Sequence, residues 1–88
     1  MRIEYSRRFL KEFKKCPVKI QAAFKQKIKI FINDKSNIIL NNHKLIGNLK
    51  GYRSINITSD WRAIFQEFDK EKIVYFVMIG THSNLYNK

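Results

Sequence analysis

Apolar side chains recur along this chain in different rhythms, and the rhythms divide it. Residues 1–5 alternate apolar and charged side chains, the period of a short strand. After Ser6, a residue suited to an N-cap, the period lengthens. Phe9, Leu10 and Phe13 make one stripe at helical spacing, with Arg7, Arg8, Lys11, Lys14 and Lys15 outside it. Cys16-Pro17 breaks this helix, and Pro17 suits the first turn of another. Ile20, Phe24, Ile28 and Phe31 then mark the buried face of a second helix, from about residue 17 to residue 33. Ala23 is small enough for close packing, while Lys19, Lys25 and Lys29 point elsewhere. The two helices form a hairpin laid on something apolar.

Residues 33–51 are rich in Asn and Lys, contain Gly47 and Gly51, and read as a long loop with a small apolar anchor at Ile38-Ile39-Leu40. Loops of this length in a compact domain are often functional. Alternation returns at residues 52–57, where Arg53, Ile55 and Ile57 share one face and Tyr52, Ser54 and Asn56 the other. Turns at 58–60 and 69–71 separate this strand from one at 61–68 and a nearly all-apolar one at 72–79. Short turns dictate antiparallel pairing, and a continuous apolar run suits a central strand covered on both faces. Gly80 ends the last strand, and residues 83–86 make one helical turn. The order gives an α+β fold: an N-terminal strand and a two-helix hairpin packed on an antiparallel sheet with a C-terminal three-strand meander. Helices cover one sheet face and the other is free to bind. Residues 1–88 are expected to be one domain.

Charge adds a partner class. The chain has 18 Lys and Arg against 7 Asp and Glu, for a net +11, and residues 1–35 alone hold 11 basic and 3 acidic side chains. Such a field attracts polyanions. A single cysteine, Cys16, excludes an intramolecular disulfide and a Cys-based zinc site, and fits a reducing cytosol. Basic residues interrupt any signal-like core in residues 1–15, and no apolar run approaches the ~18 residues of a membrane span. The expectation is a soluble, cytoplasmic protein with no membrane partner.

Within that field lie groups suited to acid–base chemistry on a phosphodiester. His43 sits in the polar loop and His82 follows the last apolar strand. Imidazole titrates near pH ~6.5, so it exchanges protons under cellular conditions. Asp60 could orient an imidazole or act as the base, although in a turn its carboxylate also suits local backbone bonds. Arg62 and Arg53 are candidate phosphate ligands through bidentate bonds. Tyr86 could stack on a base or stabilise a leaving group. Lys44, Lys50 and Asn56 complete the candidate RNA contacts. Trp61 reads as core. The His and Asp spacing fits no standard helical metal motif, so neither metal nor cofactor is expected.

Four segments, in order, resemble the RelE/ParE toxin superfamily of bacterial toxin–antitoxin systems. They are His43 to Gly47, Gly51-Tyr52-Arg53-Ser54-Ile55-Asn56-Ile57, Asp60-Trp61-Arg62-Ala63-Ile64-Phe65 and Gly80-Thr81-His82-Ser83-Asn84-Leu85-Tyr86. The first and last are similar to its YafQ-type branch, and with the basic hairpin the resemblance spans essentially the whole chain. It implies a RelE-like microbial RNase fold and a metal-independent endoribonuclease that cuts translated mRNA in the ribosomal decoding site. It also implies a small acidic antitoxin as partner, and operator DNA as a partner only for the toxin–antitoxin complex. The catalytic candidates become His43, Asp60, His82, Arg62 and Tyr86. Asn56 departs from the YafQ-type pattern, which has a second strand histidine there. Two alternatives share the fold: a ParE-type inhibitor of DNA gyrase, and a catalytically weak member that only binds nucleic acid or antitoxin.

Overall fold

Residues 1–86 are described in the computed structural model. The chain runs β1 (Arg2–Tyr5), α1 (Arg7–Lys15), α2 (Val18–Asn33), β2 (His43–Lys44), β3 (Arg53–Asn56), β4 (Trp61–Phe68), β5 (Ile73–Thr81) and α3 (His82–Tyr86). Short 3-10 turns lie at Ile38–Leu40 and Gly47–Leu49. The five strands form one sheet in the order β1-β5-β4-β3-β2. The meander β3-β4-β5 is antiparallel as its short turns require, but β1 joins β5 in parallel, so the sheet is mixed. No short turn links β1 to β5, and nothing local fixes their relative direction.

Both predicted helices form, although α2 begins at Val18 with Pro17 as its N-cap rather than in its first turn. The Ser6 hydroxyl accepts from the Phe9 amide at 2.9 Å and caps α1. Phe9, Phe24 and Phe31 bury the helical stripes against Phe65 and Phe76 of the sheet. The rings meet mostly edge-on or tilted, Phe24 to Phe76 at 5.6 Å and Phe31 to Phe65 at 5.2 Å. Each fully buried Phe contributes about 1.5–3 kcal/mol of transfer free energy. Leu10 departs from its predicted place in the stripe and stays half exposed, because two turns of α1 meet the core only through Phe9 and Phe13.

A bulge lets β5 contribute to the helix-facing core on both sides of it. Ile64 pairs with Met78 but the adjacent Phe65 pairs with Phe76, leaving Val77 without a partner on β4. The extra residue resets the alternation, so Val74, Phe76 and Ile79 all enter the same core although their numbers differ in parity. Beyond the bulge α1 replaces β1 as the neighbour of β5. The Ser6 amide and hydroxyl donate to the Phe76 and Val77 carbonyls at 2.9 and 3.0 Å, and the Ile79 amide donates to Glu12 Oε1 at 3.1 Å.

The segment 33–51 is more ordered than a loop. The Asn37 side chain accepts from the Ile39 amide and starts a 3-10 turn, and Asn41, in the left-handed region at φ 48°, redirects the chain alongside β3. Of the apolar anchor only Leu40 is buried, while Ile38 and Ile39 face outward. The sheet face away from the long helices is not wholly open either. Ser54 and Ile64 on that face are fully buried, and α3 folds back over it. A Cβ at Gly80 would stand 3.3 Å from Leu85 Cδ2, so glycine at this position makes room for α3. Among the described residues no helix is long and apolar enough to cross a membrane.

Candidate active site

Strand register decides which predicted residues can act together. His43 pairs with Ser54, Ser54 with Ile64 and Ile64 with Met78, while Asn56 pairs with Arg62 and Arg62 with Gly80. Cross-strand partners share a sheet face. His43, Ser54, Asn56 and Arg62 therefore share the face opposite α1 and α2. Lys44 pairs with Arg53, so both belong to the helix-side face, at the β2 edge.

His43 is exposed, yet its ring is held. Its Nδ1 lies 2.7 Å from the Asn41 carbonyl oxygen, which can only accept, so Nδ1–H donates. In the neutral ring this leaves the lone pair on Nε2, the nitrogen free to take a proton. The left-handed turn at Asn41 is what brings that carbonyl under the ring.

His82 opens α3, and its backbone amide donates to the Asp60 carbonyl at 2.8 Å. This bond ties the 58–60 turn to the start of the helix. The His82 ring meets the Tyr86 ring edge-on, with centroids 4.7 Å apart, the spacing of neighbours one helical turn apart. The Tyr86 hydroxyl in turn donates to Ser54 Oγ at 3.0 Å. Ser54, buried and polar, is the residue that sequence reasoning missed. Its small side chain at an inward position of a polar strand face was the available signal.

Arg62 is half buried and folds over its own turn, with Nη1 donating to the carbonyls of Thr58, Ser59 and Trp61 at 3.1, 3.1 and 3.2 Å. These bonds fix the guanidinium through one nitrogen. The Asp60 carboxylate is exposed, and among the described residues no hydrogen bond joins it to either imidazole. Asp60 enters the site through its backbone. Asn56 Oδ1 is buried and has no hydrogen-bond partner among the described residues. Trp61 packs against the core.

The remaining cations gather elsewhere. Lys44, Lys50 and Arg53 line a shallow cleft of about 690 Å³ with Tyr52 and Glu67 at the β2 edge. Arg53 Nε donates to Asn42 Oδ1 at 2.8 Å, which holds the guanidinium against the chain just before His43. Cys16 is no part of this arrangement. Burial pushes its thiol up, with the Glu12 charge adding, the reverse of what a nucleophilic cysteine needs. Among the described residues no three His, Cys, Asp or Glu side chains gather to hold a metal ion.

A family model described as the bacterial toxin of type II toxin–antitoxin systems, YafQ, matches residues 1–87. The solved YafQ of E. coli strain BL21(DE3) is 28% identical, covers 98% of this chain and 99% of its own, and superposes with a TM-score of 0.80. In the solved E. coli DinJ–YafQ toxin–antitoxin complex the matching chain is 30% identical, with 96% of this chain and 94% of that one covered and a TM-score of 0.77. The RelBE2 toxin–antitoxin complex of Mycobacterium tuberculosis matches at 15% identity over 92% of this chain and 96% of that one, with a TM-score of 0.75, and shares the fold. No curated protein sequence matches.

Proposed function

This chain belongs to the YafQ family of bacterial type II toxin–antitoxin toxins, and on that premise we propose that it is a ribosome-dependent, metal-independent endoribonuclease acting on translated mRNA in the bacterial cytoplasm. The observation that carries the reading is that His43, Ser54 and Arg62 share one sheet face and that Tyr86, beside the His82 ring, is bonded to Ser54 on it.

RNA brings its own nucleophile, the 2′-OH. In this reading His43 Nε2 takes the 2′-OH proton, O2′ attacks the adjacent phosphorus, and the P–O5′ bond breaks as the His82 imidazolium protonates the leaving oxygen. The products are a 2′,3′-cyclic phosphate and a 5′-OH. Acid and base each contribute about 10²–10⁴-fold. In this reading the Arg62 guanidinium, through the nitrogen its turn leaves free, meets the developing charge on phosphate, a contribution that is often larger. Asp60 positions His82 through its carbonyl, and Tyr86 supports the His82 ring. Lys44, Lys50, Arg53 and Asn56 contact RNA around this centre.

The net +11 favours a small acidic antitoxin as partner, and E. coli YafQ is solved with the antitoxin DinJ. Residues 1–88 act as one domain, free on the ribosome and on operator DNA only with that antitoxin. The test is a map of cellular RNA 5′ ends after brief induction, wild type beside His82→Ala. New 5′-OH ends in phase with codons, absent from the variant, are the expected result. Growth arrest in both without new ends would reject the nuclease and point to a gyrase-type target.

A further inference from the structure

We propose that the cleft beside Tyr86 is a nucleobase subsite, and that Asn48 and Arg8 read the edge of the base it holds. The proposal rests on the endoribonuclease reading and adds to it the residues that choose where the RNA is cut. The cleft has a volume of about 480 Å³ and is walled by Tyr86, Met78 and the apolar side chains of Leu45, Ile46, Leu49 and Leu85, with Arg8 and Asn48 as its polar members.

Its position ties it to the reaction centre. Tyr86 is a shared wall: its ring lines the cleft, meets the His82 ring at 4.7 Å and is anchored by its hydroxyl to Ser54. Met78 pairs with Ile64, which pairs with Ser54, whose other partner is His43, so the cleft continues the same sheet face. A nucleotide whose phosphate lies between His43 and His82 has this opening beside it for one of the flanking bases.

Its chemistry fits a base better than a phosphate. An unpaired base presents two apolar faces and a polar edge, and proteins hold it by stacking the faces and hydrogen-bonding the edge. Here an aromatic ring, a soft thioether, three leucines and Ile46 supply the walls. The cleft at the β2 edge differs in charge, with Lys44, Lys50 and Arg53 facing Glu67 and Asp69.

Of the two polar groups, Arg8 is held by a side-chain bond, while Asn48 is placed by its backbone turn. Arg8 Nε donates to Glu12 Oε2 at 3.0 Å, and Glu12 Oε1 accepts from the Ile79 amide at 3.1 Å. The carboxylate is thus fixed by the sheet backbone and aims the guanidinium, whose terminal nitrogens are not used in that bond. Asn48 stands in the 3-10 turn Gly47–Leu49, which Gly47 enters at φ 68°, a conformation that favours glycine. A guanidinium and an amide are the two groups that read base edges bidentately.

The experiment uses ribosomes programmed with four mRNAs that differ only in one nucleotide beside the cleaved bond, the position being varied in turn. Cleavage rates are measured for wild type, Asn48→Ala and Arg8→Ala. Wild type is expected to favour some bases at one position by about tenfold, the scale of one bidentate contact. Both variants are expected to bring the four rates at that position to within about threefold of one another, while preferences at other positions stay. Asn48 is exposed, so its variant tests the subsite even if Arg8→Ala disturbs Glu12. Equal cleavage of all four mRNAs by wild type, or an unchanged preference in Asn48→Ala, overturns the subsite and leaves the nuclease standing. No cleavage of any mRNA by wild type overturns both.

Discussion

The Tyr86 hydroxyl donates to Ser54 Oγ at 3.0 Å, across 32 residues of sequence, and so fastens the last turn of α3 to the buried floor of the sheet. Because Tyr86 also supports the His82 ring, this one bond links the fold to the proposed acid. Tyr86→Phe keeps the ring and leaves the Ser54 hydroxyl buried without its partner. The expected cost is about 1–3 kcal/mol in stability by urea denaturation. Cleavage should fall more than stability does, since His82 loses a fixed support. Cleavage at the wild-type rate in a variant that is destabilised would separate the latch from the chemistry.

The two imidazoles predict opposite pH limbs. A base must be neutral, so its limb rises with pH, and an acid must be protonated, so its limb falls. Imidazoles change charge between about pH 5 and 8. Single-turnover cleavage should therefore be bell-shaped across that range. His43→Ala should lose the rising limb and His82→Ala the falling one. If each variant instead lost the other limb, the roles would be exchanged, and a flat wild-type profile would remove both from proton transfer.

Glu12 joins α1 to β5 where β1 no longer reaches. Its Oε1 accepts from the Ile79 amide and its Oε2 from Arg8. Glu12→Ala leaves a part-buried strand amide unpaired, at an expected cost of about 1–3 kcal/mol. Glu12→Gln retains a carbonyl acceptor for that amide and should recover part of the loss. Equal denaturation midpoints for wild type and Glu12→Ala would show that water replaces the carboxylate.

The apolar rhythms were enough to read both helices and the meander, because each period reports one buried face and the helices and sheet bury theirs against each other. They could not reveal the bulge, since Val77 is as apolar as its neighbours and only the pairing of Phe65 with Phe76 exposes the extra residue. The parallel direction of β1 was equally hidden, because a long connection carries no directional signal. At the site, His43, Asn56 and Arg62 were legible as residue types, but the place of His43 on the face of the other two depends on the register of β2, a strand of two residues inside what reads as loop. Ser54 and the cleft walls Leu49 and Met78 were hidden for a related reason. Each looks like ordinary packing until α3 is seen to fold over that face, which Gly80 permits.

Salt dependence tests the charge field apart from the chemistry. Binding that neutralises phosphates releases counterions, so the affinity for ribosomes should fall linearly on a log–log plot against salt. The edge cleft places Lys44 and Lys50 outside the proposed proton-transfer centre. Replacing both with Ala should lower the slope by about 0.7–0.9 for each phosphate that is no longer neutralised, and weaken binding at low salt. The single-turnover rate at saturating protein should stay near wild type, because neither lysine touches the transferred protons in the proposed mechanism. An unchanged slope would place RNA on another basic face, of which the exposed lysines and arginines of α1 are the next to test. A much reduced turnover rate with normal binding would instead bring the β2 edge into the reaction itself, since His43 lies on the same two-residue strand as Lys44.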